Sequence, residues 1–307
     1  MRPLTRVAAA VRNAAEGLEQ WFLGPADPRA YACMRIGYAF AALCVLIDFW
    51  PLRNTLLAST GMFGGADDSA PIVTLNVFRL ATSEGAVALV FAAVAAALVA
   101  LALGVLPRLT AFVAYGWVLS YSDTAQTALS GFDTILRVVG FVLVVSPQVP
   151  TWSVGPRWAK GSSAQPPRYG LRLVQWQLML IYVCTVWLKA PDEFWRRGEA
   201  IPYFMMSMFA RHPSPVFSHH PALGALLTYG TLLVEISIPF LLWMRKTRMF
   251  GVALGMGLHI GIALSARLAL FTIAMLPLYA SFFEAEDFAW IRSWWPQPVS
   301  HPGRHRG

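Results

Sequence analysis

Residues 86–105 read AVALVFAAVAAALVALALGV, a run without one charged or hydrogen-bonding side chain. Crossing the hydrocarbon core of a bilayer takes about 20 mainly apolar residues. In that medium every backbone N–H and C=O has to be satisfied within the segment, which makes such a run an α-helix. Working outward, comparable runs cover 31–50, 108–122, 132–148, 170–188, 222–243, 248–264 and 266–284. The pattern predicts an all-α, polytopic integral membrane helix bundle of about eight transmembrane helices. Ser120-Tyr121-Ser122-Asp123 and Gln126 interrupt the third and fourth runs, so seven or nine crossings also fit.

Composition agrees. Of 307 residues, 57% are apolar and 13% charged, whereas a soluble domain carries roughly a quarter charged residues. A water-facing surface needs charges that this chain lacks, which excludes a soluble enzyme. The net charge of +8 is spread over short inter-helix segments. A nucleic-acid partner would call for one clustered basic face, so none is expected. Cys33, Cys44 and Cys184 are odd in number and all fall inside predicted spans, which points to neither a disulfide framework nor zinc. His212, His219 and His220 sit among Pro213, Pro215 and Pro221 at a spacing that suits a loop, and no metal site is expected.

Three regions follow. Residues 1–30 have no signal-peptide pattern; Val7, Val11, Ala14, Leu18, Trp21 and Phe22 recur near helical spacing between arginines, as in an amphipathic interfacial helix. Residues 31–290 form the transmembrane domain, within which 151–169 is the most linker-like stretch, and 291–307 are a basic tail. Fifteen Lys and Arg fall on the same side as the N-terminus and seven on the other. Cationic loops stay inside. The expected topology therefore places both termini in the cytoplasm of a cell whose cytoplasmic (inner) membrane holds the chain. The outer connection from Lys189 to Pro221, with Phe204, Met205, Met206, Met208 and Phe209, reads as a re-entrant or interfacial helix.

Ionisable side chains inside spans are expensive, and each is a functional candidate. Here they are Arg35, Asp48, Asp133, Arg137, Lys189, Glu235 and His259, most of them in the outer half. Each has a structural alternative. Asp133 and Arg137, spaced i, i+4, read as a mutually neutralising pair or as ligand contacts. Glu235 lies one turn before Pro239 and could satisfy donors at a kink, or be protonated. His259 sits in Gly255-Met256-Gly257-Leu258-His259-Ile260-Gly261, a pattern of close helix packing, as a buried hydrogen-bonded or a catalytic histidine. Lys189 either snorkels to water or faces the bundle, where an amine stripped of water becomes a candidate general base.

Several stretches occur in a familiar order: Arg35-Ile36-Gly37 with Asp48; Gly131-Phe132-Asp133-Thr134-Ile135-Leu136-Arg137 followed by Ser146-Pro147; Gln177 to Tyr182, then Lys189, Trp195 and Gly198; Glu235-Ile236-Ser237-Ile238-Pro239; and His259. Over residues 25–290 this order resembles the membrane region of the vitamin K-dependent gamma-carboxylases, the horizontally transferred transmembrane (HTTM) domain. The resemblance implies a lysine base, Lys189, that deprotonates reduced vitamin K or a related quinol. It also implies a role for His259 toward the oxygenated cofactor, and contacts to the cofactor from Asp133, Arg137, Tyr182, Trp195 and Glu235. In that family the activated quinol removes a γ-proton from glutamate, and the carbanion captures carbon dioxide. The chain departs from the family in Lys189-Ala190-Pro191-Asp192, where the carboxylases have paired lysines without proline. It also lacks their large lumenal portion after the last span. In this it is similar to small members such as sporulation-delaying-protein B, which serves maturation of a secreted peptide toxin. The expected partners are membrane lipid and a secreted peptide or small molecule. Two functions stand side by side: a quinol-dependent membrane enzyme, and a non-catalytic helper for maturation, export or immunity of a secreted peptide. A transporter ranks behind both, because only Glu235 lies near mid-membrane.

Overall fold

The computed structural model describes residues 2–63, 76–154 and 165–294, with side chains from residue 11 onward. Every regular element among them is helical. In chain order the α-helices are α1 (Arg2–Leu23), α2 (Pro28–Phe49), α3 (Arg53–Leu57), α4 (Glu84–Ala102), α5 (Pro107–Thr124), α6 (Gly131–Val145), α7 (Tyr169–Lys189), α8 (Glu193–Arg197), α9 (Ala200–Met206), α10 (Pro221–Trp243), α11 (Arg248–Ser265), α12 (Ala269–Met275) and α13 (Ala285–Ser293). A 3-10 stretch, Leu276–Phe282, continues α12.

All eight apolar runs are helical. Five helices are long and apolar enough to cross a bilayer: α2 with its extension to Leu57, α4, α7, α10 and α11. A sixth crossing results if Ala269–Phe282 and α13, bent by 112° at their junction, are taken as one span. The chain is an integral membrane helix bundle. The remaining runs form α5, which ends in the polar Ser120 to Thr124, and α6, whose 15 residues extend only about 22 Å.

Asp27 and Pro28 start α2. Pro28 occupies the first helical position, where a missing N–H is harmless, and the Asp27 carboxylate accepts from the Arg29 N–H at 2.9 Å. Burial by itself would raise the Asp27 carboxyl, but hydrogen bonds and charge from Arg29 outweigh it and hold the group below the usual aspartate range. Over an apolar 18-residue stretch of Pro28–Leu57, 61% is buried inside the bundle, against 28–33% over such stretches of the other four. It is therefore the core helix, lined by α4, α6, α12 and the 3-10 stretch. Lipid tails are as apolar as leucine, so packing rather than hydrophobicity joins these helices, and small residues let backbones approach. The alanines of α2 at 30, 39, 41 and 42 are all buried.

Helix α1 confirms a helical N-terminal segment. Val11 and Leu18 are exposed, while the side chain of Val7 lies outside the described residues. Its anchor is Trp21, stacked on Trp243, with the Arg172 guanidinium over both rings at 4.2 and 5.2 Å. Arg172 also donates from Nε to the Trp21 carbonyl at 3.1 Å, capping the helix end. Arg168, Arg248, Glu284 and Asp287 form an ion-pair cluster at this same end of α7. Arg35 is buried and donates to the carbonyls of Val149, Thr151 and Trp152. It ties the chain after α6 to the core helix. The linker 151–169 lies for the most part, 155–164, outside the described residues, as does the tail from 295.

The connection from Lys189 to Pro221 carries two short helices, α8 and α9, and it leaves Met208 and Phe209 exposed. His212 and His219 lie in the loop before α10, and His220 immediately precedes that helix without a side-chain hydrogen bond to it.

Candidate functional site

Helix α7 organises the polar interior of the bundle. Gln175, Tyr182 and Lys189 recur every seven residues, so they share one face. Each has a partner on another element. Gln175 donates to the Ser281 carbonyl at 2.7 Å. Tyr182 meets His259 and Tyr279. Lys189 meets Glu235. The last of these stands about 30 Å from the start of α7, at the end of the bundle opposite the ion-pair cluster.

Lys189 Nζ lies 2.5 Å from Glu235 Oε1 and 2.7 Å from Oε2. The lysine side chain is 24% exposed and that of the glutamate 8%, so Lys189 faces the bundle and does not snorkel. The turn after α7 completes the enclosure. Asp192 accepts from the N–H groups of Phe194 and Trp195 at 3.0 and 3.2 Å and starts the one-turn helix α8. Gly198 ends α8 in the left-handed region at φ 76°, which glycine adopts without steric cost. Between these two signals, Trp195 is turned back so that its ring centre is 4.5 Å from Lys189 Nζ, a cation–π contact. Lys189-Ala190-Pro191-Asp192 thus has a purpose of its own: the aspartate after the proline builds the turn that brings Trp195 over the amine.

Glu235 corrects one expectation. A proline frees the carbonyl one turn before it and removes its own N–H, so Pro239, inside α10, leaves acceptors and no donors for a carboxylate. The Glu235 carboxylate instead takes the Lys189 ammonium.

Deeper in the bundle, the Tyr182 hydroxyl lies 2.9 Å from His259 Nε2 and is hydrogen-bonded to the Tyr279 hydroxyl. All three side chains are buried. His259 Nδ1 is buried without a partner. The His259 carbonyl accepts from Thr272 at 2.8 Å, and Phe271 packs on the imidazole with ring centres 5.5 Å apart. Gly255, one turn before His259, has its reason here: a Cβ at that position would collide with the Tyr279 hydroxyl.

Asp133 and Arg137 do not form the expected pair. Asp133 accepts from the Tyr121 hydroxyl and the Ser130 N–H, both at 2.6 Å, in a capping box that starts α6. Arg137 reaches Thr134 at 3.5 Å. A carboxylate in the first turn of a helix is drawn to the N–H groups that lack partners there, and these outcompete an arginine four residues on. No hydrogen bond or ion pair joins Asp133 or Arg137 to Lys189, Glu235 or His259. The link between the two regions is Phe271, which packs both on Gly131 at the start of α6 and on His259. Asp48, also singled out within a span, is exposed.

Of the residues read from sequence, the structure brings Lys189, Glu235 and Trp195 into one contact group, and Tyr182 and His259 into a second. Tyr279, Tyr121 and Phe271 escaped the sequence reading. A tyrosine two residues after Pro277 in an apolar run was the available signal for Tyr279.

The family model of the HTTM domain matches residues 24–288. The chain belongs to the HTTM domain family. The match takes in every residue of both contact groups, and leaves α1 up to Leu23 and the tail beyond Phe288 outside the domain. Searches of curated proteins and of solved structures return no match.

Proposed function

We propose that this HTTM domain is a membrane enzyme whose Lys189–Glu235 pair acts as a base toward a weakly acidic, lipid-soluble cofactor, reduced vitamin K or a related quinol. The product would be a modified exported peptide or small molecule. One observation carries the reading: an ammonium and a carboxylate are held together inside the bundle, 24% and 8% exposed, beneath an aromatic lid. Passing one ammonium proton to Glu235 leaves a neutral amine beside a neutral carboxyl. Away from water that neutral state loses little, because the ion pair has already given up its hydration. The amine lone pair then takes a proton from a hydroxyl placed against it. Trp195 restricts water from one side, and Tyr182 and His259 lie one heptad, about 10 Å, further into the bundle.

The residues present suit a quinol-class cofactor. A buried imidazole nitrogen has no partner, aromatic rings stand beside both contact groups, and the setting is a bilayer in which an isoprenoid tail dissolves. When bound, such a cofactor supplies acidic hydroxyls and reducing electrons. The proposal includes eight crossings, with α5, α6 and the bent α12 segment completing the five clear spans. Both termini then lie in the cytoplasm, and the site is at the outer face of the inner membrane.

A second reading has its own support, because each member of the ion pair already has the other as its partner. A clamp of this kind between α7 and α10 is what a non-catalytic helper in peptide-toxin maturation, export or immunity would need. The two readings separate on one assay. Purified protein in nanodiscs is given reduced vitamin K and oxygen, and quinol consumption is followed for wild type, Lys189→Ala and Glu235→Gln. Turnover lost in both variants supports the enzyme. Quinol left unaltered by the wild type sinks it in favour of the helper.

A further inference from the structure

The end of the bundle away from Lys189 holds positive charge that no carboxylate answers. Arg35 is 5% exposed. Its terminal nitrogens donate to three backbone carbonyls, while its Nε is buried without a partner. Among the described residues it forms no ion pair, so only neutral dipoles face a buried cation, a costly state. Ser146 is 1% exposed, and its Oγ is likewise buried without a partner. Both residues line one pit of about 20 Å³, room for a single oxygen-sized group. Tyr31, on the same pit, donates to the Pro167 carbonyl at 2.7 Å. The pit therefore lies at the α7 end that carries the ion-pair cluster.

Helix α5 starts at the rim of this pit, where Pro107 lines it. No side chain caps the helix, and the N–H groups of Arg108 and Leu109 have no partner among the described residues. Such a helix start attracts an anion. Arg108 is exposed, and among the described residues it has neither ion pair nor hydrogen bond. Pro107 and Gln148 are shared with a second, open groove of about 590 Å³, which Arg108, Leu109, Phe112 and Val144 also line. No carboxylate lines either cavity.

We infer that pit and groove form one binding site for an anionic phospholipid. Its phosphate sits at the rim, against the α5 N–H groups and Arg108, with one oxygen directed into the pit toward Arg35 and Ser146. Its acyl chain lies along Leu109, Phe112 and Val144. The groove favours a lipid over a free anion, because inorganic phosphate would meet the charges and leave the apolar wall unused. The charge favours an anionic lipid over a zwitterionic one, whose cationic group finds no carboxylate here. The site stands at the opposite end of α7 from Lys189, roughly 30 Å away, and does not depend on the reaction proposed above.

Native mass spectrometry of the full chain tests this. Protein purified in a neutral detergent is offered phosphatidylglycerol and phosphatidylcholine at equal concentration. One phosphatidylglycerol should be retained in preference to phosphatidylcholine. Arg108→Gln changes an exposed, unpaired residue and should weaken that retention about five-fold. Ser146→Ala removes one hydroxyl from the pit and should weaken it to a similar degree, without lowering the unfolding temperature. Arg245→Gln removes an exposed arginine that pairs with Glu286 instead, and should retain the lipid like the wild type. Equal retention of the two lipids, or an equal loss in Arg245→Gln, would reduce the binding to non-specific adhesion and overturn the inference. A loss in Arg108→Gln with none in Ser146→Ala would confine the headgroup to the helix end and overturn the role of the pit. Displacement of the lipid by millimolar inorganic phosphate would make the occupant a free anion. No retained phospholipid at all would leave the pit to water, and either result overturns the lipid assignment.

Discussion

Glu235 and Lys189, 46 residues apart in the chain, close on each other with both carboxylate oxygens at 2.5 and 2.7 Å from the same nitrogen. The contact joins α7 to α10 at one end of the bundle and converts two unfavourable residues into one favourable unit. Removing either partner strands the other, and the penalty lies between the limits for exposed and buried pairs. Glu235→Leu should lower stability by about 2 kcal/mol, and the double variant Lys189→Met/Glu235→Leu should recover most of it, as read by thermal unfolding in detergent. Equal losses for the single and double variants would show that the pair contributes nothing by its pairing.

The same contact governs access to the amine. An impermeant amine reagent should label Lys189 slowly in the wild type and several-fold faster in Glu235→Gln, where the neutral amide holds the ammonium less tightly. Lys160 and Lys246, the other two lysines, serve as internal references in unsealed membranes. Rapid labelling of Lys189 in the wild type would return it to a snorkelling role.

Gly255 permits the Tyr279 hydroxyl to lie on the α11 backbone. Gly255→Ala should therefore push Tyr279 away from Tyr182 and destabilise the protein by about 1–3 kcal/mol, the usual range for overpacking. Gly257→Ala, where a Cβ meets nothing within 4 Å, should be close to neutral. Thermal unfolding of the two variants side by side checks the difference, and equal effects would contradict the packing described.

Asp133 owes its place to Tyr121 and the Ser130 N–H rather than to Arg137. Asp133→Ala should cost about 2 kcal/mol by stranding a buried hydroxyl and an unpaired helix N–H. Arg137→Ala should cost well under 1 kcal/mol. A large loss in the arginine variant, measured by denaturation midpoint, would restore the ion pair.

Asp27 supplies a pH dependence. Its carboxyl is held below the usual aspartate range in the folded protein, so its contribution is present in full above the ordinary aspartate value near 4. It is lost as pH falls through the depressed folded value. Between pH 5 and pH 2, Asp27→Asn should lose less stability than the wild type. A parallel fall in both proteins would mean that the Arg29 contacts do not stabilise the start of α2.

How much of this was readable in advance depends on range. Hydropathy reports what a segment meets on average, and so the eight apolar runs, the loop of histidines and the cost attached to Lys189, Glu235 and His259 were visible at once. Whether two costly residues meet is another matter. Asp133 and Arg137 looked like a pair because they stand one turn apart, yet the helix start with its free N–H groups lies nearer to Asp133. Tyr279 carried no charge, and no spacing rule marked it.

Sequence by itself determined that this chain is a membrane-embedded helical bundle, because the absence of water leaves an apolar segment no other way to satisfy its backbone, and the order of its motifs carried the resemblance to the HTTM domain. Only the tertiary structure decided that Lys189 turns to Glu235 and that Tyr279 and Tyr182 meet His259. Those contacts bridge helices far apart in the chain, and their geometry depends on how closely α7, α10 and α11 pack, a property set by small residues such as Gly255 and not by any local pattern.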